Sequence, residues 1–217
     1  MKKKKRKEIV TEELETKTEA AASFSLGTQQ LLAFRLMEDT DETMYITGKA
    51  GSGKSYLLRY FVENTAKSVV VVAPTGIAAL NVGGQTIHSF FQFDFSVQGI
   101  DPEPPMSTKM KMILKLLDVL VIDEVSMVRV DYMDAMDRKL RKANKNNLPF
   151  GGKQVIMFGD LYQLPPVVSD GQISRFLEDK YSSIFFFAAP VFIENPIKIF
   201  ELTKIYRQQD KIFIDIL

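Results

Sequence analysis

The segment Gly48-Lys49-Ala50-Gly51-Ser52-Gly53-Lys54-Ser55 follows a short apolar run, Met44–Thr47, and opens a helical pattern at Lys54. It constrains the fold more than any other stretch of the chain. The glycines at 48, 51 and 53 free the backbone to curl, so that successive N–H groups can face an anion, and the helix N-terminus that follows favours negative charge. The spacing G-x-x-x-x-G-K-[ST] between a strand and a helix predicts a phosphate-binding loop. Gly48, Ala50, Gly51, Ser52 and Gly53 would form its cradle. Lys54 would reach the β and γ phosphates of a nucleoside triphosphate, and Ser55 would hold magnesium.

Magnesium takes octahedral oxygen ligands and keeps several waters, so such a loop needs an acid from elsewhere in the chain. The run Leu120-Val121-Ile122-Asp123-Glu124 supplies one. Apolar residues leading into two acids describe a buried strand that delivers carboxylates at its C-terminal end, where ligands bind in open α/β sheets. Asp123 is expected to orient the magnesium shell, and Glu124 to act as general base on an attacking water. An acidic pair that only caps the following helix is the plainer alternative.

The remaining pattern has the alternation that such a site requires. Apolar runs at Met44–Thr47, Val69–Ala73, 119–123, Gln154–Phe158 and 198–202 are interleaved with helical patterns from Lys54, from Gly76 and around Met133, Met136 and Leu140. Near-continuous apolar strands belong to a parallel sheet covered on both faces. The expected fold class is α/β: a doubly wound, mostly parallel sheet with helices on both faces. Residues 92–107 include Asp101-Pro102-Glu103-Pro104-Pro105, a proline density that excludes regular structure and predicts a surface loop. Phe90-Phe91 and Phe185-Phe186-Phe187 are expected in the core.

Composition narrows the chemistry. With no cysteine and a single histidine, His88, the 217 residues can form neither a disulfide nor a Cys/His zinc site, so catalysis must rest on Lys, carboxylates and a bound cation. No apolar run approaches the roughly 18 residues of a spanning helix and there is no secretory h-region, so no membrane partner is expected. The expected home is the cytoplasm of a bacterium or the nucleus of a eukaryote. The formal net charge is +1, yet six of the 28 cations are Lys2, Lys3, Lys4, Lys5, Arg6 and Lys7, which leaves 22 cations against 27 acids in the rest. A global basic balance therefore makes no case for nucleic acid; local motifs must. The basic head reads as a solvated tail, an address signal or a phosphate-attracting arm. Residues 1–22 are expected to be a disordered or helical extension, and residues 23–217 one domain.

Further strings carry a resemblance. Val72-Ala73-Pro74-Thr75-Gly76-Ile77-Ala78-Ala79-Leu80, followed by Gly84-Gln85-Thr86-Ile87-His88-Ser89-Phe90, resembles motif Ia of the Pif-one/RecD-like helicases. Asp123-Glu124-Val125-Ser126-Met127 resembles their motif II, Gly159-Asp160-Leu161-Tyr162-Gln163-Leu164-Pro165-Pro166-Val167 their motif III, and Leu202-Thr203-Lys204-Ile205-Tyr206-Arg207-Gln208 their motif IV. Leu26-Gly27-Thr28-Gln29-Gln30 is similar to the Q motif, with Gln29 where the family usually has an acid. The motifs run in the family's order from about residue 24 onward.

This resemblance implies a RecA-like P-loop domain that hydrolyses ATP, with Mg2+, to move along single-stranded DNA and unwind forked or structured duplex DNA. The family's roles lie in DNA repair, recombination and telomere maintenance. Gln30 would hydrogen-bond the adenine edge, Gln163 would sense the γ-phosphate, and Arg207 would stabilise charge on the transferred phosphoryl group. Thr75, Gly76, Thr86 and His88 would meet the DNA backbone. Each admits a structural role as well: Gln30 as a helix-surface amide, Gln163 as a loop-stabilising amide, Arg207 as a surface ion pair and His88 as a buried histidine. The resemblance further implies that this is the first of two motor domains, monomeric, and that the chain is a fragment without the second. The rival readings are a nucleotide-dependent binding module, against which Glu124 argues, and a AAA+-like P-loop ATPase, against which motifs Ia and III argue.

Overall fold

The computed structural model describes residues 26–94, 96–99, 105–168 and 170–206. The basic head, the boundary expected at 22–23, most of the acidic proline stretch, Arg207 and the helical pattern at 210–217 lie outside the described residues. The elements are α1 (Thr28–Asp39), β1 (Met44–Thr47), α2 (Lys54–Asn64), β2 (Val69–Ala73), α3 (Gly76–Asn81), β3 (Gln85–Thr86), α4 (Ile87–Phe91), α5 (Thr108–Leu116), β4 (Val119–Ile122), α6 (Val130–Asn144), β5 (Gln154–Phe158), α7 (Gly171–Tyr181), α8 (Val191–Glu194) and β6 (Lys198–Glu201). The strands form one sheet in the order β3-β2-β4-β5-β1-β6, each neighbouring pair parallel.

The central strands β4 and β5 are buried along their whole length. Successive side chains point to opposite faces of a pleated strand, so each strand feeds two cores. Met44, Ile46, Val119, Val121, Ile156 and Phe158 pack with Ala33 and Met37 of α1 and with Leu57, Leu58 and Phe61 of α2. Tyr45, Leu120, Ile122, Val155 and Met157 pack on the other face with Phe91, Leu114, Met133, Met136, Leu140 and Leu177 of α4 to α7. At about 1.5–3 kcal/mol for each large apolar side chain fully buried, these two layers dominate the folding energy. The sheet is α/β with helices on both faces, as expected.

Several details differ from expectation. Strand β4 ends at Ile122, so Asp123 is the first residue beyond it. Strand β6 is not a covered run: it pairs only with β1, at the sheet edge, and Lys198, Ile199 and Glu201 are exposed. Of the phenylalanine triplet, Phe186 is buried but Phe187 is 45% exposed, because a 3-10 turn over Phe186–Ala188 points the rings in different directions. The described part of the 92–107 segment has no helix or strand, yet Phe93, Val97 and Met106 are buried in it. It is a loop that contributes to the core rather than a purely surface one.

What holds that loop is a buried ion pair at the start of α6. Asp131 is 0% exposed; its carboxylate accepts hydrogen bonds from Arg129 Nε and Nη2 at 2.9 and 2.6 Å and from the Gln98 N–H at 2.8 Å. The same guanidinium donates to the Ser96 carbonyl and lies over the Tyr132 ring. Removing one partner of a buried pair leaves an uncompensated charge and costs about 3–5 kcal/mol. Asp131→Asn is expected to lower the melting temperature by roughly 6–20 °C for a domain of this size. Scanning calorimetry checks it, and a shift under about 2 °C would show that the pair contributes nothing net.

Candidate functional site

Parallel pairing puts the C-terminal ends of all six strands on one edge, and strand order decides what sits beside what. Across that edge from β3 to β6 come Thr86, then Thr75 and Gly76 beyond β2, Asp123 and Glu124 beyond β4, residues 159–163 beyond β5, the loop 48–53 beyond β1, and residues 202–206 beyond β6. Strands lie about 4.8 Å apart, so Thr75 and the phosphate loop are separated laterally by roughly 14 Å.

A cleft of about 780 Å³ opens here, within the range of roughly 300–1,000 Å³ typical of small-molecule sites. Its wall holds Gln30, Ala50, Gly51, Gly53, Lys54, Ser55, Glu124 and Gln163, all candidates from the sequence. Tyr56, Arg59, Asn81 and Tyr206 also line it and were missed. Of the other candidates, Ser52 and Asp123 are buried.

The loop glycines are imposed by their neighbours as well as by any ligand. Gly48 and Gly53 have φ of 150° and 87°. A Cβ at 48 would lie 2.5 Å from the Leu202 carbonyl, and one at 53 would lie 2.4 Å from Gln30 Nε2. The Ser52 hydroxyl is buried inside the loop with no hydrogen-bond partner among the described residues. Lys54 folds its ammonium back onto the carbonyls of Gly48 and Lys49. Burial holds its pKa below the usual lysine range, against the opposing charges of Asp160, Glu124 and Asp123.

Asp123 and Glu124 are separated by a backbone turn. Glu124 has φ 50° and ψ 43°, a left-handed conformation that costs a non-glycine residue of order 1 kcal/mol or more. The turn sends Val125 into the core and leaves Glu124 on the cleft wall. Asp123 stays 7% exposed; burial, with the charge of Glu124 added, pushes its pKa up to about 6. A backbone hydrogen bond at Glu124 and the cations Lys54 and Arg59 oppose that rise.

Asp160, given no role in the sequence reading, organises the loop beyond β5. Its carboxylate accepts from the Tyr162 N–H at 3.0 Å and from Gln163 Nε2 at 3.1 Å, which holds Gln163 on the cleft wall. At the opposite end Gln30 is buried rather than a helix-surface amide. Its Oε1 accepts from the Gly27 N–H at 3.0 Å, and its Nε2 donates to the Gly53 carbonyl at 3.3 Å. The Tyr206 ring packs against Gly27 and Gly53 beside it, and its N–H donates to the Gly51 carbonyl at 2.9 Å.

The remaining candidates form two adjacent turns, because Ala73 of β2 is paired with Thr86 of β3. Both threonine hydroxyls are engaged as helix caps: Thr75 accepts from the Ala78 N–H and Thr86 from the Ser89 N–H. Gly76 is exposed and a Cβ there would meet nothing within 4 Å, so nothing in the fold requires glycine at this position. His88 is half-buried with its ring edge against Tyr132, and burial, aided by Arg129, lowers its pKa while Asp131 and Asp94 oppose.

The burial of Asp123 has a consequence for stability. Its folded pKa of about 6 lies above the 3.8 of an ordinary aspartate, so the native state holds the proton to higher pH than the unfolded state does. Stability from this group is therefore greatest below about pH 4 and is lost as pH rises through 6. Asp123→Asn, measured without divalent cation, should be more stable than wild type above pH 7 by on the order of 1–3 kcal/mol, and the gap should close toward pH 4. Urea melts at both pH values test this; a gap independent of pH would contradict it.

A family model described as PIF1-like helicase matches residues 28–214. The chain is 31% identical over 207 residues to the ATP-dependent DNA helicase RRM3 of Saccharomyces cerevisiae, covering 91% of this chain and 28% of that protein. A solved Pif1 helicase from Bacteroides in complex with ADP-AlF3 and ssDNA superposes with a TM-score of 0.84 at 44% identity, over 89% of this chain and 45% of that one. A structure of two coordinating Pif1 helicases unwinding forked dsDNA gives the same TM-score and identity, over 88% and 47%. The chain spans between 20% and 34% of the length of the curated relatives it matches. With a six-stranded parallel α/β fold and an ordered set of motifs on one sheet edge, the chain belongs to the PIF1-like helicase family.

Proposed function

We propose that this chain is the ATP-hydrolysing half of a DNA helicase motor, in which one sheet edge holds both the nucleotide and the translocating strand. The observation that carries this reading is the order along that edge. The base-binding end, the phosphate loop, the Asp123–Glu124 pair and the two turns at Thr75 and Thr86 follow one another strand by strand. The Bacteroides relative that holds a nucleotide analogue and single-stranded DNA together supports it.

In this reading Gln30 offers its remaining amide groups to the adenine edge, and the Tyr206 ring, 42% exposed, gives the base a flat apolar neighbour. The N–H groups of the loop and the Lys54 ammonium take the phosphates. Among the described residues no three His, Cys, Asp or Glu side chains cluster into a cation site. The Ser55 hydroxyl and the Asp123 carboxylate fit an ion that shares its shell with phosphates and water, as magnesium does. That ion would neutralise charge developing on the phosphates. Glu124 takes the proton of the attacking water, Gln163 reports the γ-phosphate, and Arg207 stabilises charge. Turnover and unwinding of forked duplex belong to a two-domain assembly, since the matched segment makes up only 20% to 34% of these relatives and strand stepping needs two bodies that close on each other.

Two experiments test this. Glu124→Gln keeps the shape of the side chain but cannot accept a proton, so nucleotide binding should persist while phosphate release, in a version extended through a second motor domain, falls by about 10²–10⁴-fold. Equal rates would remove Glu124 from the base role and favour a binding module. Gly76→Ala adds a methyl group where the fold leaves room, so the melting temperature should hold or rise. If the strand backbone approaches this turn, the same change should weaken single-stranded DNA binding by about tenfold, the loss of one contact of roughly 1.4 kcal/mol. Unaltered affinity in a fluorescence titration would take Gly76 out of the strand path.

A further inference from the structure

Arg59 lines the cleft without a part in the scheme above. It lies on α2 four residues beyond Ser55, hence on the same helix face, and with Lys54 it is one of two cations on the cleft wall among the described residues. Its Nη2 donates to the Asn81 carbonyl at 2.7 Å, the one hydrogen bond that its five N–H donors make among the described residues. Asn81 is the last residue of α3, and the first turn of α3 carries Thr75 and Gly76. One side chain therefore touches both the wall of the nucleotide cleft and the far end of the strand-contact helix.

The helix between those points is short. Six residues at 1.5 Å each span about 9 Å, closed at the start by the Thr75 cap and followed by N–H bonds from Gly83 to Leu80 and from Gly84 to Ala79. A rod of this length moves as a unit, so a displacement at Asn81 reaches Gly76. The cleft end is also electrically sensitive: the charge of Arg59 acts on Asp123, and a nucleotide triphosphate brings several further negative charges to the same wall. A planar guanidinium with free donors is suited to respond to phosphate oxygens.

We propose that Arg59 is a positioning residue that couples nucleotide occupancy of the cleft to the strand-contact turn at Thr75 and Gly76, through the carbonyl of Asn81. The inference rests on the reading of the cleft as a nucleotide site and of the turn as a DNA contact. Arg59 is exposed, and a single surface hydrogen bond contributes little to folding, so its removal reads coupling rather than stability.

The test uses the whole chain and a fluorescent oligothymidylate strand. Strand affinity is measured without nucleotide and with a saturating magnesium complex of a non-hydrolysable ATP analogue, and the ratio of the two is compared among wild type, Arg59→Ala and Arg59→Lys. Saturation for each variant keeps any change in nucleotide affinity out of the ratio. Wild type should show a ratio of about fivefold or more in one direction. Arg59→Ala should bring it to about one with nucleotide-free strand binding retained. Arg59→Lys, which keeps charge without the fork, should lie between. An Ala ratio equal to that of wild type overturns the proposal, as does a wild-type ratio of one or loss of nucleotide-free strand binding in the Ala variant. If wild type binds no strand in any state, the strand-contact reading fails and this inference with it. If strand and nucleotide both bind and only the Arg59 ratios disagree, the functional reading stands and Arg59 is dismissed.

Discussion

The ammonium of Lys54 stands among the charges of Asp160, Glu124 and Asp123, and the rest of the site is arranged around that imbalance. The central strands β4 and β5 are buried throughout, so the acids at or just beyond their ends are partly withdrawn from water; Asp123 and Asp160 are both buried. Charges in such a place interact strongly and are costly to leave unbalanced. One cation against three acids is a deficit before any phosphate arrives. A triphosphate would deepen it, which is the ground for proposing a divalent ion beside Ser55 and Asp123 and a part for the second cation on the same wall, Arg59. The raised pKa of Asp123 comes first from its burial and only then from the charge of Glu124, with Lys54 and Arg59 opposing it.

The burial that creates the deficit also limits how the site can change. The strands cannot shift without disturbing both cores, so movement must occur in the loops beyond them. Those loops are tied by a few specific bonds: Lys54 to Gly48 and Lys49, Gln163 to Asp160, Arg59 to Asn81, Tyr206 to Gly51. In the first three the donor is a side-chain N–H from which a phosphate oxygen could also accept. Along the edge the loops follow the strand order, from β1 through β5 and β4 to β2 and β3.

What the sequence made legible is what is encoded locally. The phosphate loop carries its chemistry in eight consecutive residues, and Asp123–Glu124 follows an apolar run that can only be a covered strand. Val69–Ala73, Val119–Ile122 and Gln154–Phe158 are recognisable for the same reason. Strand β3 is two residues, Gln85 and Thr86, with no apolar pattern, and exists because β2 offers it a parallel partner. The exposure of β6 depends on its place at the edge, which its own residues do not state. Nothing local assigns a role to Arg59, Asn81 or Tyr206, because their significance lies in partners 22 to 155 residues away: Arg59 with Asn81 and Tyr206 with Gly51. Asp160 lies within the motif III string, but its hydrogen bond to Gln163 exists only through the turn geometry of residues 160–163.

Gln29 shows how a departure from a family pattern can be read physically. Its Oε1 accepts from the N–H groups of Thr203 and Lys204 at 3.1 and 3.2 Å, and its Nε2 donates to the Thr203 hydroxyl at 2.8 Å. A carboxylate could accept the same two N–H bonds, but the hydroxyl would then have to turn and donate. The amide therefore preserves the clamp and reverses one bond. Beyond that clamp, Leu202 donates to Thr47, its carbonyl excludes a side chain at Gly48, and Tyr206 donates to Gly51. Residues 202–206 are thus laid along the phosphate loop and fastened to it at several points, while Gln30, on the same helix as Gln29, holds Gly53. A loop that reshapes around phosphates must carry this segment with it. Gln30 and Tyr206 line the cleft, whereas the altered residue at 29 is engaged in the linkage between helix and segment, through Thr203 and Lys204.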